Sequence, residues 1–73
     1  METRGWAIQG VHGLYTGWCH TRVDAIAQHA AAFNYAVSGF ASGGKLDQSQ
    51  RAVWNQRRKK GDRAVKITIQ TNS

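Results

Sequence analysis

Stretches of alternating apolar and polar residues at both ends of the chain enclose a middle region with helical spacing. In residues 5–10, Trp6 and Ile8 fall on one face of a predicted strand, and Ala7 and Gln9 fall on the other. This order of patterns favours an α+β domain in which one face of a small sheet packs on helices.

A tight turn and a second strand are predicted directly after the first strand. Residues 10–13 (GVHG) place glycine at both ends of the turn, where positive φ angles are needed. Leu14, Thr16 and Trp18 then fall on one side of a strand over residues 14–19. The two strands are expected to form a hairpin.

Two helices are predicted in the middle of the chain. A capping box at residues 21–24 begins the first, which should run to about residue 38 and end at Gly39. Its predicted buried stripe consists of Val23, Ile26, Ala27, Ala30, Phe33 and Val37. After a loop at residues 41–45, Asp47 caps a second helix that reaches about residue 60 and stops at Gly61.

Residues 63–70 are predicted to form the third strand, since they alternate and are rich in β-branched side chains. The inward positions are Val65, Ile67 and Ile69, and the outward ones are Ala64, Lys66, Thr68 and Gln70. The predicted fold is a two-layer α+β domain over residues 1–73, with a three-stranded, mainly antiparallel sheet packed on two helices (β-β-α-α-β). The third strand could pair with either the second or the first, so the strand order stays open.

The chain of 73 residues is near the lower size limit for independent folding. Trp6, Trp18 and Trp54 are expected in the core, and assembly as a homodimer would be a further source of stability. Cys19 is the only cysteine, so no disulfide can form within the chain. With no signal-like segment and no apolar run near the roughly 20 residues of a membrane span, we expect a cytoplasmic protein.

The net charge of +6 is concentrated in residues 51–66, which hold seven of the ten Lys and Arg residues and one of the four acids. Charge this localised attracts anionic partners. The candidate contacts are Arg51, Asn55, Arg58 and Lys59 on one helix flank, followed by Arg63 and Lys66. Arg57 and Lys60 should point elsewhere, and a solvated face that offsets the helix dipole is the competing interpretation.

Aromatic rings beside such charge would favour single-stranded nucleic acid, whose bases stack on exposed rings. Tyr15 and Trp54 are the candidates for this contact, although a core position is favoured for Trp54. Tyr15 points opposite Trp18 and could lie on the open face of the sheet.

No motif in the chain predicts an enzyme, a metal site or a bound cofactor. Residues 42–45 (SGGK) lack the strand, the spacing and the Ser or Thr of a phosphate-binding loop. The soft metal ligands are His12, Cys19, His20 and His29, and the adjacent Cys19 and His20 would point to opposite faces of a strand. The four carboxylates are dispersed along the chain, which argues against paired acid–base chemistry.

Several segments resemble small proteins encoded by bacteriophages and prophages. They are residues 6–8 (WAI), 13–18 (GLYTGW), 21–27 (TRVDAIA), the Trp-containing basic helix, and residues 61–69 (GDRAVKITI). The likeness leaves out residues 37–49. It implies a phage origin and a bacterial cytoplasm, and it carries over no functional residue.

Two functions are therefore expected. The first is binding of nucleic acid by a non-enzymatic accessory protein, with the basic residues of 51–66 on the phosphates. The alternative is a host-directed inhibitor that binds a protein complex, such as an anti-CRISPR or other anti-defence protein. A virion or assembly component is a third, blander interpretation.

Overall fold

The computed structural model describes residues 2–15 and 19–70, with the side chains of 2, 3, 69 and 70 left out. The strands are β1 (Glu2–Gly10), β2 (Gly13–Leu14) and β3 (Arg63–Gln70), and the helices are α1 (Arg22–Phe33) and α2 (Gln48–Lys59). A short 3₁₀ turn, Ser42–Gly44, lies in the connection between the helices. This is the predicted α+β fold with element order β-β-α-α-β.

The sheet has the order β2-β1-β3, and both pairings are antiparallel. Between the two alternatives left open by the sequence, the third strand pairs with the first, so β1 lies at the centre. Ile8 is opposite Ala64, and Gln9 is opposite Arg63. The β1–β2 turn at residues 11–12 lies at the same end of the sheet as the start of β3.

The second strand is shorter than predicted. Of residues 14–19, Leu14 belongs to β2, and Cys19 rejoins the sheet through an isolated bridge to Trp6. The two residues exchange backbone hydrogen bonds of 2.8 and 2.9 Å. The predicted positions of Thr16 and Trp18 lie outside the described residues.

The faces predicted for the third strand are wrong. Ala64, expected outward, packs against the core on the helix side together with Ile8, its partner across the sheet. Since side chains alternate along a strand, Val65 and Ile67 lie on the face away from the helices, where they pair with Ala7 and Gly5. Alternation identifies the residues that share a face, whereas the pairing with β1 decides which face the helices cover. The side chains of residues 69 and 70 lie outside the described part.

The core lies between the sheet and both helices. Its buried cluster consists of Ile8, Cys19, Ala25, Ile26 and Trp54. Partly buried Trp6, Leu46 and Ala64 pack against it. The predicted core position of Trp54 is thus confirmed, since this ring is 5% exposed.

Helix α1 ends five residues earlier than predicted. Asn34 leaves the helical conformation, with φ −148° and ψ 101°. Its side-chain oxygen accepts a hydrogen bond from the Ala36 N–H, and its carbonyl accepts one from Val37. This Asn-centred turn competes with the helix and ends it, so Gly39 has no capping role. Phe33, predicted in the buried stripe, is 47% exposed at the last position of the helix.

The start of α2 is as predicted. The Asp47 carboxylate accepts from the Gln50 N–H at 2.7 Å, and the Gln50 side chain accepts from the Asp47 N–H at 2.8 Å. The buried Gln50 amide also donates to the carbonyls of Ser38 and Phe40, both at 2.8 Å. One side chain therefore holds both the helix start and the connection that precedes it.

We expect Gln50→Ala to lower the free energy of unfolding by about 2 kcal/mol or more, because it leaves buried polar groups without partners. Gln48→Ala, an exposed change in the same helical turn, should alter it by less than about 0.5 kcal/mol. Urea unfolding followed by tryptophan fluorescence measures both. Equal losses for the two variants would contradict this role of Gln50.

Candidate functional site

A buried carboxylate lies at the junction of both helices with β3. Oδ2 of Asp62 accepts hydrogen bonds from Nε2 of His29 in α1 and from Nε of Arg57 in α2, each at 2.7 Å. Asp62 is 4% exposed and His29 is 1% exposed. Since an ionised carboxylate can only accept, the His29 Nε2 carries the proton that is donated.

The surroundings of Asp62 act on its pKa in opposite directions. Burial raises the pKa of this carboxyl, whereas the hydrogen bonds from His29 and Arg57 and the positive charge of Arg57 lower it. The partners prevail, and the pKa of Asp62 lies below its ordinary value. The carboxylate is therefore charged at neutral pH and holds both partners through Oδ2.

Aromatic rings enclose the polar cluster. The His29 ring centroid lies 4.8 Å from that of Phe33, 5.2 Å from that of Tyr15 and 6.1 Å from that of Trp54. The Arg57 guanidinium lies 3.8 Å above the Phe33 ring, a cation–π contact. Among the described residues, the buried His29 Nδ1 has no hydrogen-bond partner.

The turn from α2 into β3 depends on Gly61. The Gly61 N–H donates to the Arg58 carbonyl and the Asp62 N–H to the Arg57 carbonyl, each at 3.1 Å. Gly61 has φ +103°, which other residues rarely adopt, and a Cβ there would come within 3.0 Å of Val11. The reversal brings the helix end and the strand start to one surface.

Four of the predicted contact residues lie together on this surface. Asn55, Arg58 and Lys59 line one shallow concavity, and Arg58 lines the next with Gly61, Asp62 and Arg63. We call the surface formed by Asn55, Arg58, Lys59 and Arg63 the basic groove. Arg63 continues it toward the β1–β2 turn, where a third concavity is lined by Gln9, Gly10, Val11, Gly61 and Arg63.

Two predicted contacts lie outside the basic groove. Arg51 is on the same flank of α2 one turn earlier, and its guanidinium donates to the Leu46 carbonyl at 3.2 and 3.3 Å. Lys66 comes three positions after Arg63 in β3. Because side chains alternate along a strand, the two side chains lie on opposite faces. The Lys66 ammonium lies 5.7 Å from the centre of the Trp6 ring. Arg57 points away from the groove, as predicted.

The two predicted aromatic contacts have different positions. Trp54 is in the core, where its ring offers no stacking surface. Tyr15 is 47% exposed, but its ring meets His29 and Phe33 of α1, so the prediction that it lies on the open sheet face is wrong. The prediction used simple alternation from Leu14, whereas the regular strand ends at that residue.

The thiol of Cys19 is buried. Its Sγ donates to the Gln28 side-chain oxygen at 3.3 Å. Burial and then the negative charge of Asp24 raise its pKa, which disfavours the reactive thiolate. Over the described ranges, no three His, Cys, Asp or Glu side chains form a cluster suited to a metal ion. Within those same residues, neither helix has the length and apolar character of a membrane span.

No family model, no curated protein and no solved structure matches this chain.

Sequence reasoning missed the contacts among His29, Arg57 and Asp62, and it missed the exposed position of Phe33. Asp62 is the one acid among the seven basic residues of 51–66, and it follows a helix-ending glycine. That isolation was a signal that the carboxylate has an internal partner. The partner in α1 is 33 residues away along the chain, so no local pattern could identify it.

Asp62→Asn should reduce stability most at neutral pH. A carboxyl with a lowered folded-state pKa stabilises the fold above its unfolded pKa of about 3.9, and this contribution disappears as the pH falls toward the folded-state pKa. The stability difference between wild type and Asp62→Asn should therefore shrink below about pH 4. Thermal unfolding across this range measures it.

Asp24→Asn is the control, because it leaves Asp62 and its partners in place. On acidification, this variant should lose the stability that Asp62 contributes, as the wild type does. A difference between wild type and Asp62→Asn that stays constant from neutral to acidic pH would contradict the role assigned to this carboxylate.

Gly61→Ala should cost about 1 kcal/mol or more, since alanine must adopt a left-handed conformation and crowd Val11. Gly39→Ala is the matched control: its φ is not positive, and a Cβ there would make an ordinary 3.5 Å contact. Denaturant unfolding should show a loss for the first variant and little change for the second. Equal effects would show that the conformation of Gly61 is not the cause.

Proposed function

We propose that this chain binds nucleic acid without catalysis, through the basic groove. The observation that carries the proposal is the arrangement of Arg58, Lys59 and Arg63, three exposed cations that border adjoining concavities. A concave strip of cations with an amide beside it fits a phosphate backbone better than scattered surface charge does. The resemblance to phage proteins makes a bacterial host the proposed setting.

The acid nearest to the groove does not cancel this charge. Asp62 lines the groove floor, but its carboxylate is buried and already paired with Arg57 on the inner side. The groove cations therefore face solvent without an exposed carboxylate of residues 51–66 among them. This distinguishes the surface from an ordinary solvated face, on which opposite charges are interspersed.

The number of cations sets the expected salt dependence. Three groove cations, extended by Arg51 one helical turn away, would neutralise roughly three to four phosphates. On a single strand, the slope of log K against log salt should then be roughly −2 to −3.

A protein partner is the second candidate function. Tyr35 is 99% exposed and Phe40 is 83% exposed, both in the connection between the helices. Exposed aromatic side chains are the usual anchors of protein interfaces. This surface would suit the alternative of a host-directed inhibitor. Self-association stays a prediction.

The double variant Arg58→Ala/Arg63→Ala should weaken binding of a fluorescent oligonucleotide and reduce the magnitude of the salt slope by about 1.4, because two phosphate contacts are lost. Arg22→Ala/Lys45→Ala removes the same charge from exposed positions outside the groove and is the matched control. Fluorescence anisotropy between about 50 and 200 mM salt measures both.

Equal weakening by the two double variants would mean that net charge, and not the groove, is responsible. No binding by the wild type at the lowest salt would overturn the proposal. A stoichiometric protein partner that is retained after nuclease treatment, and that is lost in a Phe40→Ala variant, would favour the second function.

A further inference from the structure

Two half-exposed aromatic rings form a fixed pair on the helix side of the sheet. Tyr15 and Phe33 are each 47% exposed, and their ring centroids are 5.9 Å apart in an edge-to-face arrangement of 85°. Both rings contact the buried His29, which Asp62 holds by a hydrogen bond. A pair supported in this way keeps its position without a ligand.

Tyr15, one ring of the pair, lies next to a residue that lines the concavity at the hairpin end of the basic groove. The Tyr15 ring covers Gly10 so closely that any Cβ at that position would overlap it. Gly10 also lines the concavity that Arg63 and Gly61 share with the β1–β2 turn. Gly10 therefore connects the Tyr15 ring to the concavity that Arg63 lines.

A basic side chain also accompanies the second ring. The Arg57 guanidinium lies above the Phe33 ring. The two side chains also line one concavity together with Lys60. Aromatic faces with cations beside them are the usual combination for unpaired bases, which stack while their phosphates are neutralised. A duplex keeps its bases stacked inside and would leave these rings unused.

We infer that the basic groove takes single-stranded nucleic acid, with a base stacked at Tyr15 and a neighbouring base at Phe33. The inference rests on the proposed function, because it needs phosphates in the groove. It adds a subsite whose contribution comes from stacking and not from charge.

An abasic strand separates the two contributions. An oligothymidylate of about 12 nucleotides should bind the wild type at least about fivefold more tightly than an abasic strand of the same length and charge. It should also bind more tightly than the same sequence in a duplex. Tyr15→Leu keeps apolar bulk at the site but removes the ring, so it should reduce the preference for bases over abasic strand. Anisotropy titrations at one salt concentration give all of these affinities.

Phe40→Leu is the matched control. Phe40 is 83% exposed but lines a different concavity, with Cys19, Asp24 and Gln28. This variant should keep the full preference, and Phe33→Leu should reduce it. Circular dichroism confirms that each variant is folded, and the wild-type comparison of the two strands does not depend on any variant.

Each outcome decides a different question. If neither strand binds, the proposed function fails and the inference fails with it. If the oligothymidylate and the abasic strand bind with equal affinity and with the salt slope expected above, the groove binds polyanions, but the proposal of a stacking subsite is overturned. A preference for bases that persists in Tyr15→Leu would overturn the assignment to this ring.

Discussion

The buried contact between Asp62, His29 and Arg57 is the interaction on which the other parts of the structure depend. A carboxylate can be buried only where it is paired and hydrogen-bonded. Asp62 therefore takes its buried position only when His29 and Arg57 are in place beside it. The three residues belong to α1, to α2 and to the turn that leads into β3. One carboxylate thus sets how both helices meet the sheet, in a chain whose core cluster contains few large side chains.

The same contact organises the charge of the surface. Asp62 draws Arg57 to the inner side of α2 and neutralises it there. Arg58 is left on the outer side, and the turn at Gly61 brings Arg63 to it. Of the seven basic residues in 51–66, Arg57 is thereby paired internally, whereas Arg58, Lys59 and Arg63 lie in the exposed groove. Local charge density is what attracts an anionic ligand, so this division matters more than the total charge.

His29 links the buried contact to the aromatic surface. Its ring supports Tyr15 and Phe33 from below while its Nε2 is held by Asp62. The orientation of the exposed rings and that of the groove therefore have a common origin. This connection gives the proposed binding of a single strand two independent physical components, one that depends on salt and one that depends on bases.

Local sequence determined the element order, the hairpin turn, the Asp47 cap, the glycine that ends α2 and the concentration of charge, since each depends on neighbouring residues. Within the candidate site, it also placed Asn55, Arg58 and Lys59 on one helix flank, because helical spacing is regular. Tertiary structure decided the central position of β1, the helix-facing side of Ala64, the exposure of Phe33 and the internal role of Asp62. A periodic pattern shows which residues share a face but contains no information about what covers that face. A contact between residues far apart in the chain exists only once the chain is folded.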